Sequence, residues 1–260
     1  MKIGITVRPG RDDAYILAKS IHDILITKGH NVDHGILPEH DMEIVIGGDG
    51  TILRTVKAMG TFQKPILGIN MGGVGFLADI EPDEAISYIR TIGEMDINYE
   101  ERTRINVHHG IDRIHIDVAL NEVALVSHKG GNMNTFSIVI DDVEVQSFKA
   151  DGLVVSTPTG STAYAMSAGG SIVDPLIHDG YLVVPVAPYL LSSRPQLISV
   201  KRKLKIMVGD SDDVDIIVDG QYIRKAYSNI PVEIQVDPNP AKFVDVNRNF
   251  FKKVGYKLRR

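Results

Sequence analysis

A glycine-rich pentapeptide, GGDGT at residues 47–51, is the segment of this 260-residue chain best suited to chemistry. Its glycines let the backbone approach a ligand and present N–H groups to it, and a helix beginning just after them favours phosphate. An aspartate inside a phosphate loop repels phosphate, so Asp49 makes sense if it accepts a proton from a hydroxyl or helps to hold Mg²⁺. The alternative is an Asp-Gly turn in which Asp49 caps the helix. We favour the functional interpretation because two glycines, a threonine and an apolar strand pattern flank the aspartate.

A second polar cluster lies at residues 151–164, in the sequence DGLVVSTPTGSTAY. An apolar run ends there in hydroxyl side chains, glycine and proline, and we expect a short helix over residues 161–168. The hydroxyls that could cap this helix and donate hydrogen bonds to a polar ligand are those of Thr159, Ser161 and Thr162. Ala163 would allow close approach, and Tyr164 offers an aromatic face with a polar tip. A capped helix after a turn is the alternative, but the length and density of the polar run make it the weaker one.

Asn121 and Glu122 interrupt the alternating apolar run VALNEVALV. An amide and a carboxylate at that point can bind ribose hydroxyls or a carboxamide. As an isolated pair they are a weak indication, and exposed strand positions are the alternative.

Other catalytic patterns find little support. The chain has no cysteine, which excludes disulfides, thiolate catalysis and cysteine-based metal sites. No Walker A sequence or G-x-S-x-G elbow occurs, and none of the nine histidines forms a metal-ligand pattern with carboxylates. Residues 73–78 match the dinucleotide pattern G-x-G-x-x-A, with Glu100 about 20 residues further on. We discount this match because the next helix begins only near Pro82, so a glycine-rich ligand loop or a plain turn is favoured.

Composition limits the possible partners. The chain carries 28 Lys and Arg against 33 Asp and Glu, a net charge of −5, and 43% of its residues are hydrophobic. These values are typical of a folded globular protein, and the acidic balance argues against nucleic acid as a partner. No run reaches the roughly 18 apolar residues of a membrane helix, and the charged amino terminus is unlike a signal peptide. We therefore expect a cytoplasmic protein with no membrane partner.

The first hundred residues alternate between strand and helix patterns, which predicts an α/β domain with a mostly parallel, Rossmann-like sheet. Strands are expected at residues 2–7, 44–46 and 66–69. Each of three expected helices stops at a glycine. They run from a cap at Asp12 or Asp13 to Gly29, from the GGDGT segment to Gly60, and from Glu81 to Gly93.

From about residue 97 to residue 237 the chain consists mainly of short β runs separated by turn sequences, which is typical of an antiparallel sandwich or barrel-like domain. We therefore divide the chain into an α/β domain of residues 1–95 and 240–260 and an all-β sandwich domain of residues 96–239. The end of the chain predicts a strand and then a short basic amphipathic helix. Its basic end is expected to be a solvated helix terminus or a subunit contact.

These motifs together resemble the NAD kinase family. The resemblance runs through GGDGT at 47–51, GINMGGVGFLAD at 68–79, Asn121-Glu122, KADGLVVSTPTGSTAY at 149–164 and DGQ at 219–221, so it covers nearly the whole chain in the expected order. Phosphofructokinases and diacylglycerol or sphingosine kinases share GGDGT. The TPTGSTAY segment that follows the tripeptide ADG is, by contrast, highly specific for the resemblance.

The resemblance implies a phosphotransferase that uses ATP, or polyphosphate in some members, to phosphorylate the 2′-hydroxyl of the adenosine ribose of NAD, making NADP. It also implies an NAD kinase-like fold, with an N-terminal α/β domain and a C-terminal β-sandwich, in a homodimer or homotetramer. Mg²⁺ or another divalent metal is expected to bind through the nucleotide phosphates, with no dedicated protein metal site. The implied partners are NAD and either ATP or polyphosphate.

Carried over by position, the resemblance assigns Asp49 as the general base. The loop that binds NAD and phosphate would include Gly48, Gly50 and Thr51. Arg54 would be a cation near phosphate, and Phe76 would lie at the adenine side of the dinucleotide.

In the second half, the resemblance assigns Asn121 and Glu122 to ribose hydroxyls or the nicotinamide end. Asp151 would contact the nicotinamide amide, with Lys149 beside it, and Gln221 would be a further NAD contact. The adenine and ribose wall would consist of Thr162, Ala163, Tyr164 and Ser167. This chain departs from the family at Ala150, Ser171 and Asp174, where members often have glycine, proline and histidine, respectively. These three positions flank the core motifs and leave them intact.

Two alternatives remain open. Another kinase of the GGDGT type, acting on a sugar phosphate or a lipid, would have no need of the TPTGSTAY segment. A non-catalytic NAD(P)-binding regulator would tolerate loss of Asp49, which is present.

Overall fold

The computed structural model describes residues 1–72, 75–94, 96–128, 133–190, 192–209 and 213–259. The chain forms two compact units, one of residues 1–101 and 239–260 and the other of residues 102–238. The two units divide after residue 101 and again after residue 238.

In chain order, the elements up to residue 102 are β1 (Lys2–Val7), α1 (Asp12–Thr27), β2 (Asn31–His34), β3 (Met42–Gly47), α2 (Asp49–Met59), β4 (Pro65–Asn70), α3 (Pro82–Thr91) and β5 (Tyr99–Arg102). Next come β6 (Ile105–His109), β7 (Ile114–Ala119), β8 (Glu122–Ser127), β9 (Asn134–Ile140), β10 (Val143–Ala150), β11 (Gly152–Ser156), a 3₁₀ turn (Thr159–Thr162), α4 (Tyr164–Ser167), β12 (Gly180–Val186), β13 (Gln196–Ser199), β14 (Leu204–Val208), β15 (Val214–Val218), β16 (Gln221–Ala226) and β17 (Val232–Val236). The chain then returns to the first unit with β18 (Ala241–Val244) and α5 (Phe250–Lys257). Within the described ranges, no helix combines the length and the apolar character needed to cross a membrane.

The described strands of the first unit form one sheet in the order β2-β1-β3-β4-β18-β5. The pairs β1–β2, β1–β3, β3–β4 and β4–β18 are parallel, which confirms the predicted α/β domain with a mostly parallel sheet. β5 joins this sheet beside β18, in agreement with a first unit that extends to residue 101. β3 is buried at all six positions, as expected for a central strand of a sheet covered on both faces.

The carboxyl ends of β3 and β4 place the two glycine-rich segments side by side. Gly47, the last residue of β3, is in register with Asn70, the last residue of β4. α2 begins at Asp49, directly after the first of these ends, and the chain after β4 leads to a loop at residues 75–79. Both segments therefore lie at the edge where parallel α/β sheets bind ligands.

The start of α1 differs from the prediction. Arg11, not Asp12 or Asp13, is the N-cap residue. The Asp13 carboxylate instead accepts a hydrogen bond from the Ala14 N–H at 3.0 Å and pairs with the Arg11 side chain. The helix stops where expected, because Gly29 has a φ of +83°, in the left-handed region that favours glycine after a helix.

The second unit is a sandwich of two antiparallel sheets. Its described strands form the orders β10-β9-β14-β17-β6-β7 and β13-β12-β11-β8-β15-β16. One apolar core takes residues from both sheets, including Phe136 and Ile206 from the first and Leu153 and Val183 from the second. Two sheets that pack through their inner faces form a β-sandwich, so the predicted all-β domain is confirmed.

β11 is buried on both faces. Leu153 and Val155 lie in the core between the two sheets, whereas Val154 packs with Ala165 and Leu182 in a separate cluster. The alternation follows from the two-residue period of a strand. Because both faces are buried, the sequence of β11 is apolar almost without interruption.

The helix expected over residues 161–168 is divided in two. A 3₁₀ turn over Thr159–Thr162 precedes the four-residue α4, and Ala163 between them has φ −102° and ψ −127°, outside the helical region. Neither piece has a side-chain bond at its N-cap residue. Ser161, one of the expected capping residues, instead exchanges hydrogen bonds with the backbone of Val173.

Candidate active site

Asp49 is the first residue of α2, directly after the N-cap residue Gly48, so it is not itself the cap. Its Oδ2 accepts a hydrogen bond from the backbone N–H of Phe76 at 2.7 Å, and its Oδ1 accepts one from the N–H of Leu77 at 3.1 Å. The loop after β4 therefore holds the carboxylate of the GGDGT segment.

Gly75 makes this contact possible. A Cβ atom added at Gly75 would lie 2.6 Å from Oδ1 of Asp49, closer than real Cβ contacts come. The two N–H donors use two of the roughly four acceptor positions of a carboxylate, which leaves others for a substrate hydroxyl. Asp49 is partly exposed, so a ligand can reach it. Gly73 and Val74 of the same segment lie outside the described residues.

Thr51 and Arg54 lie in the first turns of α2 and differ in exposure. Thr51 is buried, and its side chain packs on Gly47, where a Cβ atom would come within 2.6 Å of the hydroxyl oxygen. Arg54 is exposed and donates from Nη2 to the Thr51 hydroxyl at 3.4 Å. The guanidinium therefore lies at the surface near Gly50, where it can attract anionic groups.

Lys253 of α5 belongs to this cluster, although the sequence did not reveal it. Its ammonium group donates to the carbonyl oxygens of Phe76 at 2.7 Å and Ala78 at 2.9 Å, and to the carboxylate of Asp79 at 2.6 Å. The expectation that the basic end of the chain is solvated is therefore wrong for this side chain, which is 12% exposed.

Lys257, one turn further along α5, is buried and donates a hydrogen bond to the carbonyl oxygen of Gly75. Its ammonium group lies 5.9 Å from the centre of the Phe76 ring. Burial lowers the pKa of Lys257 and the charge of Lys253 adds to the shift, whereas nearby carboxylates, including that of Asp49, oppose it. The sequence offered one signal for this pair, because Lys253 and Lys257 are four residues apart and therefore lie on one face of a helix.

Asn121 and Glu122 lie at the start of β8 in the second unit. They are 8% and 6% exposed, so the alternative of exposed strand positions is wrong. Asn121 Oδ1 and Glu122 Oε2 have no hydrogen-bond partner among the described residues. A buried polar atom without a partner costs about 1–3 kcal/mol, and a ligand that binds these two oxygens would remove that cost.

Asp219 positions this pair and is the second feature that the sequence did not reveal. Its Oδ1 accepts from the backbone N–H groups of Asn121 at 2.8 Å and Glu122 at 3.1 Å, and its Oδ2 accepts from that of Leu120 at 2.8 Å. Asp219 has a φ of +47°, a left-handed conformation that aspartate tolerates better than most residues. The DGQ sequence was the signal, but an Asp-Gly pair between two strands is ordinarily only a turn.

Burial raises the pKa of Glu122 to about 7, and the negative charge of Asp219 acts in the same direction. The backbone N–H of Tyr164 lies beside the carboxylate and opposes the shift. Glu122 can therefore donate as well as accept a hydrogen bond near neutral pH. The contact also brings Tyr164 of the TPTGSTAY segment to the Asn121-Glu122 pair.

The loop between β11 and α4 lies against the same pair. A Cβ atom at Gly160 would collide with the carbonyl oxygen of Asn121, and the Thr157 N–H donates to that oxygen at 2.8 Å. The Thr162 hydroxyl donates to the carbonyl oxygen of Thr159 at 3.4 Å. The Thr159 hydroxyl itself is buried and has no partner in the described part of the chain, so it stays available to a ligand.

Lys149 and Asp151 lie at the other end of β11 from this loop. Asp151 directly precedes the strand, whereas Thr159 follows it. The five residues of β11 extend about 3.3 Å each, so the two ends of the strand are roughly 17 Å apart. The motif at 149–164 therefore occupies both ends of one strand. The remaining assigned residues are exposed or partly exposed: Ala163, Ser167 and Gln221.

The described residues contain no group of three or more His, Asp or Glu side chains that could hold a metal ion. The carboxylates beside the glycine-rich loops are those of Asp49, at the start of α2, and of Asp79, which pairs with Lys253. This donor set suits an ion bound mainly by phosphates and by one or two carboxylates, as Mg²⁺ is in nucleotide sites.

Comparison with known proteins shows the family to which the chain is similar. Residues 29–97 match the ATP-NAD kinase N-terminal domain, and residues 120–246 match the ATP-NAD kinase C-terminal domain. The chain is 51% identical to a NAD kinase of Methanoregula boonei over 220 aligned residues. The alignment covers 85% of this chain and 80% of that protein.

Two solved structures share the fold. A NAD kinase from Archaeoglobus fulgidus in complex with ATP has a TM-score of 0.83 and 28% identity, covering 100% of this chain and 99% of that one. Yeast NADH kinase complexed with NADH has a TM-score of 0.88 and 24% identity, covering 100% of this chain and 87% of that one. The predicted fold class is therefore confirmed.

Proposed function

This chain belongs to the NAD kinase family, and from that premise we propose that it transfers the terminal phosphoryl group of ATP, or of polyphosphate, to the 2′-hydroxyl of the adenosine ribose of NAD. The product is NADP. The observation that carries the proposal is the Asp49 carboxylate, which the loop at residues 75–79 holds at the start of α2.

Asp49 acts as the general base. The ribose 2′-oxygen attacks the terminal phosphorus, and the bond from that phosphorus to the bridging oxygen of the donor breaks. The hydroxyl proton passes to a carboxylate oxygen of Asp49, and ADP or shortened polyphosphate leaves. Phosphoryl transfer depends mainly on positioning and charge neutralisation, so a carboxylate fixed by two N–H donors is well suited to orient the hydroxyl.

The start of α2 binds the donor phosphates. Gly48, Gly50 and Thr51 surround Asp49 at a helix N-terminus, where backbone N–H groups and the helix dipole favour anions. Arg54 adds a cation at the surface. Mg²⁺ or another divalent ion, when bound to the phosphates, neutralises part of their charge. The ATP complex of the Archaeoglobus fulgidus relative supports ATP as a donor.

The second unit provides groups for the dinucleotide. Asn121, Glu122 and Thr159 each have an oxygen atom without a partner among the described residues, and these oxygens bind ribose hydroxyls or the nicotinamide end. The wall against adenine and ribose is formed by Thr162, Ala163, Tyr164 and Ser167. Further contacts with NAD are proposed for Phe76 at the adenine side, for Asp151 with Lys149 at the nicotinamide amide, and for Gln221.

The test is incubation of the purified protein with NAD, ATP and Mg²⁺, followed by measurement of NADP with a strictly NADP-dependent dehydrogenase. Parallel reactions replace ATP by polyphosphate and NAD by NADH. A phosphorylated dinucleotide in any of them supports the proposal. Absence of product in all of them refutes it. In that case, NAD(P) binding without turnover would favour a non-catalytic regulator. Phosphorylation of a sugar phosphate or a lipid would favour another kinase of the GGDGT type.

Asp49→Asn tests the general base. The amide keeps the size of the side chain but cannot take the proton, so kcat should fall by roughly 10²- to 10⁴-fold while NAD still binds in calorimetry. Asp12→Asn is the matched control, because Asp12 is the first residue of α1 as Asp49 is of α2. Retention of most activity by Asp49→Asn would overturn the assigned role.

A homodimer or homotetramer is also proposed. Val143 and Val145 of the edge strand β10 are 61% and 51% exposed. An exposed apolar edge strand is suited to pairing with another chain. Light scattering should give a multiple of the 28.6 kDa chain mass, and a monomeric mass at working concentration would contradict the proposal.

A further inference from the structure

Two consecutive peptide units of the loop after β4 are hydrogen-bonded at both of their polar groups. The unit Gly75–Phe76 accepts from Lys257 at its carbonyl oxygen and donates to Asp49 from its N–H. The unit Phe76–Leu77 accepts from Lys253 at 2.7 Å and donates to Asp49 at 3.1 Å. Each peptide unit therefore connects one lysine of α5 with one oxygen of the same carboxylate.

The geometry of a peptide unit makes this connection directional. The unit is planar and trans, so its C=O and N–H groups point to opposite sides and turn together. A lysine that fixes the carbonyl therefore also fixes the direction of the N–H. A positive charge at the carbonyl oxygen also polarises the unit and strengthens the N–H as a donor.

The lysine contacts are themselves well fixed. Lys253 has three N–H donors and three acceptors, since it also bonds the carbonyl oxygen of Ala78 and the carboxylate of Asp79. Lys257 is 9% exposed, so its contact with Gly75 is shielded from water. Lys252, the neighbour of Lys253 in α5, is by contrast exposed.

We propose that Lys253 and Lys257 are positioning residues for phosphoryl transfer, which orient the Asp49 carboxylate through the two peptide units that follow Gly75. The inference rests on the proposed role of Asp49 as general base. A helix at the far end of the sequence thus sets the geometry at the start of α2.

A purely structural role for the lysines leads to a different expectation. If they only attach α5 to the first unit, their removal lowers the free energy of unfolding, and the molecules that remain folded keep the wild-type kcat. A positioning role predicts that kcat falls in fully folded protein, because an error of about 1 Å in a catalytic group costs up to about 10²-fold in rate.

The experiment compares Lys253→Met, Lys257→Met and Lys253→Arg with the control Lys252→Met. We would measure kcat and both KM values by NADP formation, and hydrogen exchange at the Phe76 and Leu77 amides, below the unfolding transition of each variant. We expect kcat to fall roughly 10- to 100-fold in the two methionine variants at positions 253 and 257. Their KM values should change little, and exchange of both amides should accelerate.

The conservative variant and the control complete the test. Lys253→Arg keeps the charge and several donors, so it should recover part of the lost kcat, although its planar fork cannot match all three acceptors. Lys252→Met should match the wild type in both measurements. If Lys253→Met does not fold, Lys257→Met applies the same test to the other peptide unit.

The outcomes separate the two proposals. Wild-type kcat and exchange in both methionine variants, with an inactive Asp49→Asn, would overturn the positioning role and leave the general base intact. Faster amide exchange together with an active Asp49→Asn would instead refute the general base while the lysines still orient the carboxylate.

Discussion

Glu122 and Asp219 are two buried carboxylates with different hydrogen-bond partners. Asp219 accepts three backbone N–H groups, which favour its charged form even though burial raises its pKa. Glu122 has one oxygen without a partner among the described residues, and the charge of Asp219 further disfavours its ionisation. The two carboxylates therefore have different roles, since that of Asp219 binds backbone N–H groups and that of Glu122 is available to bind a ligand.

The raised pKa of Glu122 makes stability depend on pH. The native state holds a proton on Glu122 up to about pH 7, whereas the unfolded chain releases it near 4.5, so this group lowers the free energy of unfolding as pH rises between those values. Urea unfolding at about pH 5 and about pH 8 should therefore show a smaller decrease in Glu122→Gln than in the wild type.

The control for this measurement is Glu144→Gln, which changes an exposed carboxylate of β10 and should keep the wild-type pH dependence. An equal decrease in Glu122→Gln and the wild type would contradict the assigned pKa shift. Burial raises the pKa of Asp219 as well, so a residual slope of the same sign is expected in both proteins.

Asp219→Asn should weaken NAD binding without touching the ligand-facing atoms. An amide has one oxygen where the carboxylate has two, so at least one of the three backbone N–H groups loses its acceptor, at about 1–3 kcal/mol. KM for NAD should rise, because Asn121 and Glu122 are no longer held in place. Asp112→Asn, at an exposed position in the same unit, is the control, and an unchanged KM in Asp219→Asn would refute the positioning role of Asp219.

The sequence revealed local features of the site better than long-range ones. The aspartate of GGDGT and the polar loop after β11 are recognisable because glycine, hydroxyl and proline residues cluster within a few positions. Lys253 and Asp219 act on segments far away in the chain, at Phe76 and at Asn121. A contact of that kind depends on the tertiary fold, and no local spacing encodes it.

Among the elements, the loop at residues 75–79 is held from two sides, because it contacts both α2 and α5. Its N–H groups face the carboxylate of Asp49, and its carbonyl groups face Lys253 and Lys257. Close approach on the first side requires that residue 75 has no side chain.

Gly75→Ala should therefore reduce kcat. The added methyl group would lie 2.6 Å from Oδ1 of Asp49, so the carboxylate or the loop must move. Gly255→Ala is the matched control: Gly255 lies within α5 with open space around it, and alanine there should stabilise the helix by up to about 1 kcal/mol. An unchanged kcat in Gly75→Ala would show that the carboxylate tolerates the displacement.

Element boundaries show where local preferences are overruled. Asp12 and Asp13 are good capping residues, yet both lie inside α1, where the Asp13 carboxylate bonds Arg11 and the N–H of Ala14. The helix expected at 161–168 is interrupted at Ala163, and the hydroxyl of Ser161 bonds the distant backbone of Val173. In both places an expected capping side chain bonds another group.

For the whole molecule, the return of the chain from the second unit completes the first. β18 lies between β4 and β5, so the sheet of the first unit is complete only when residues 241–244 have paired. The sequence predicted a strand there, but the position of that strand within the sheet depends on pairing with a segment about 175 residues earlier, which hydrophobic periodicity cannot reveal.

Phe243→Ala should accordingly destabilise the protein. Phe243 is 4% exposed in β18, and its replacement leaves a cavity worth roughly 3–5 kcal/mol of the free energy of unfolding. Phe251→Ala, at a position 55% exposed, should stay within about 0.5 kcal/mol of the wild type. Denaturant unfolding measures both, and equal effects would mean that β18 is not part of the cooperative core.

The two buried faces of β11 restrict how its motif can change in evolution. Insertion of one residue would transfer every following side chain to the opposite face, so Val155 would leave the core between the sheets. A regular strand that keeps both faces therefore changes the spacing between Asp151 and Thr157 in steps of two residues, or about 7 Å. The distance between the two ends of β11 thus takes only certain values, and a ligand that contacts both ends must match one of these distances.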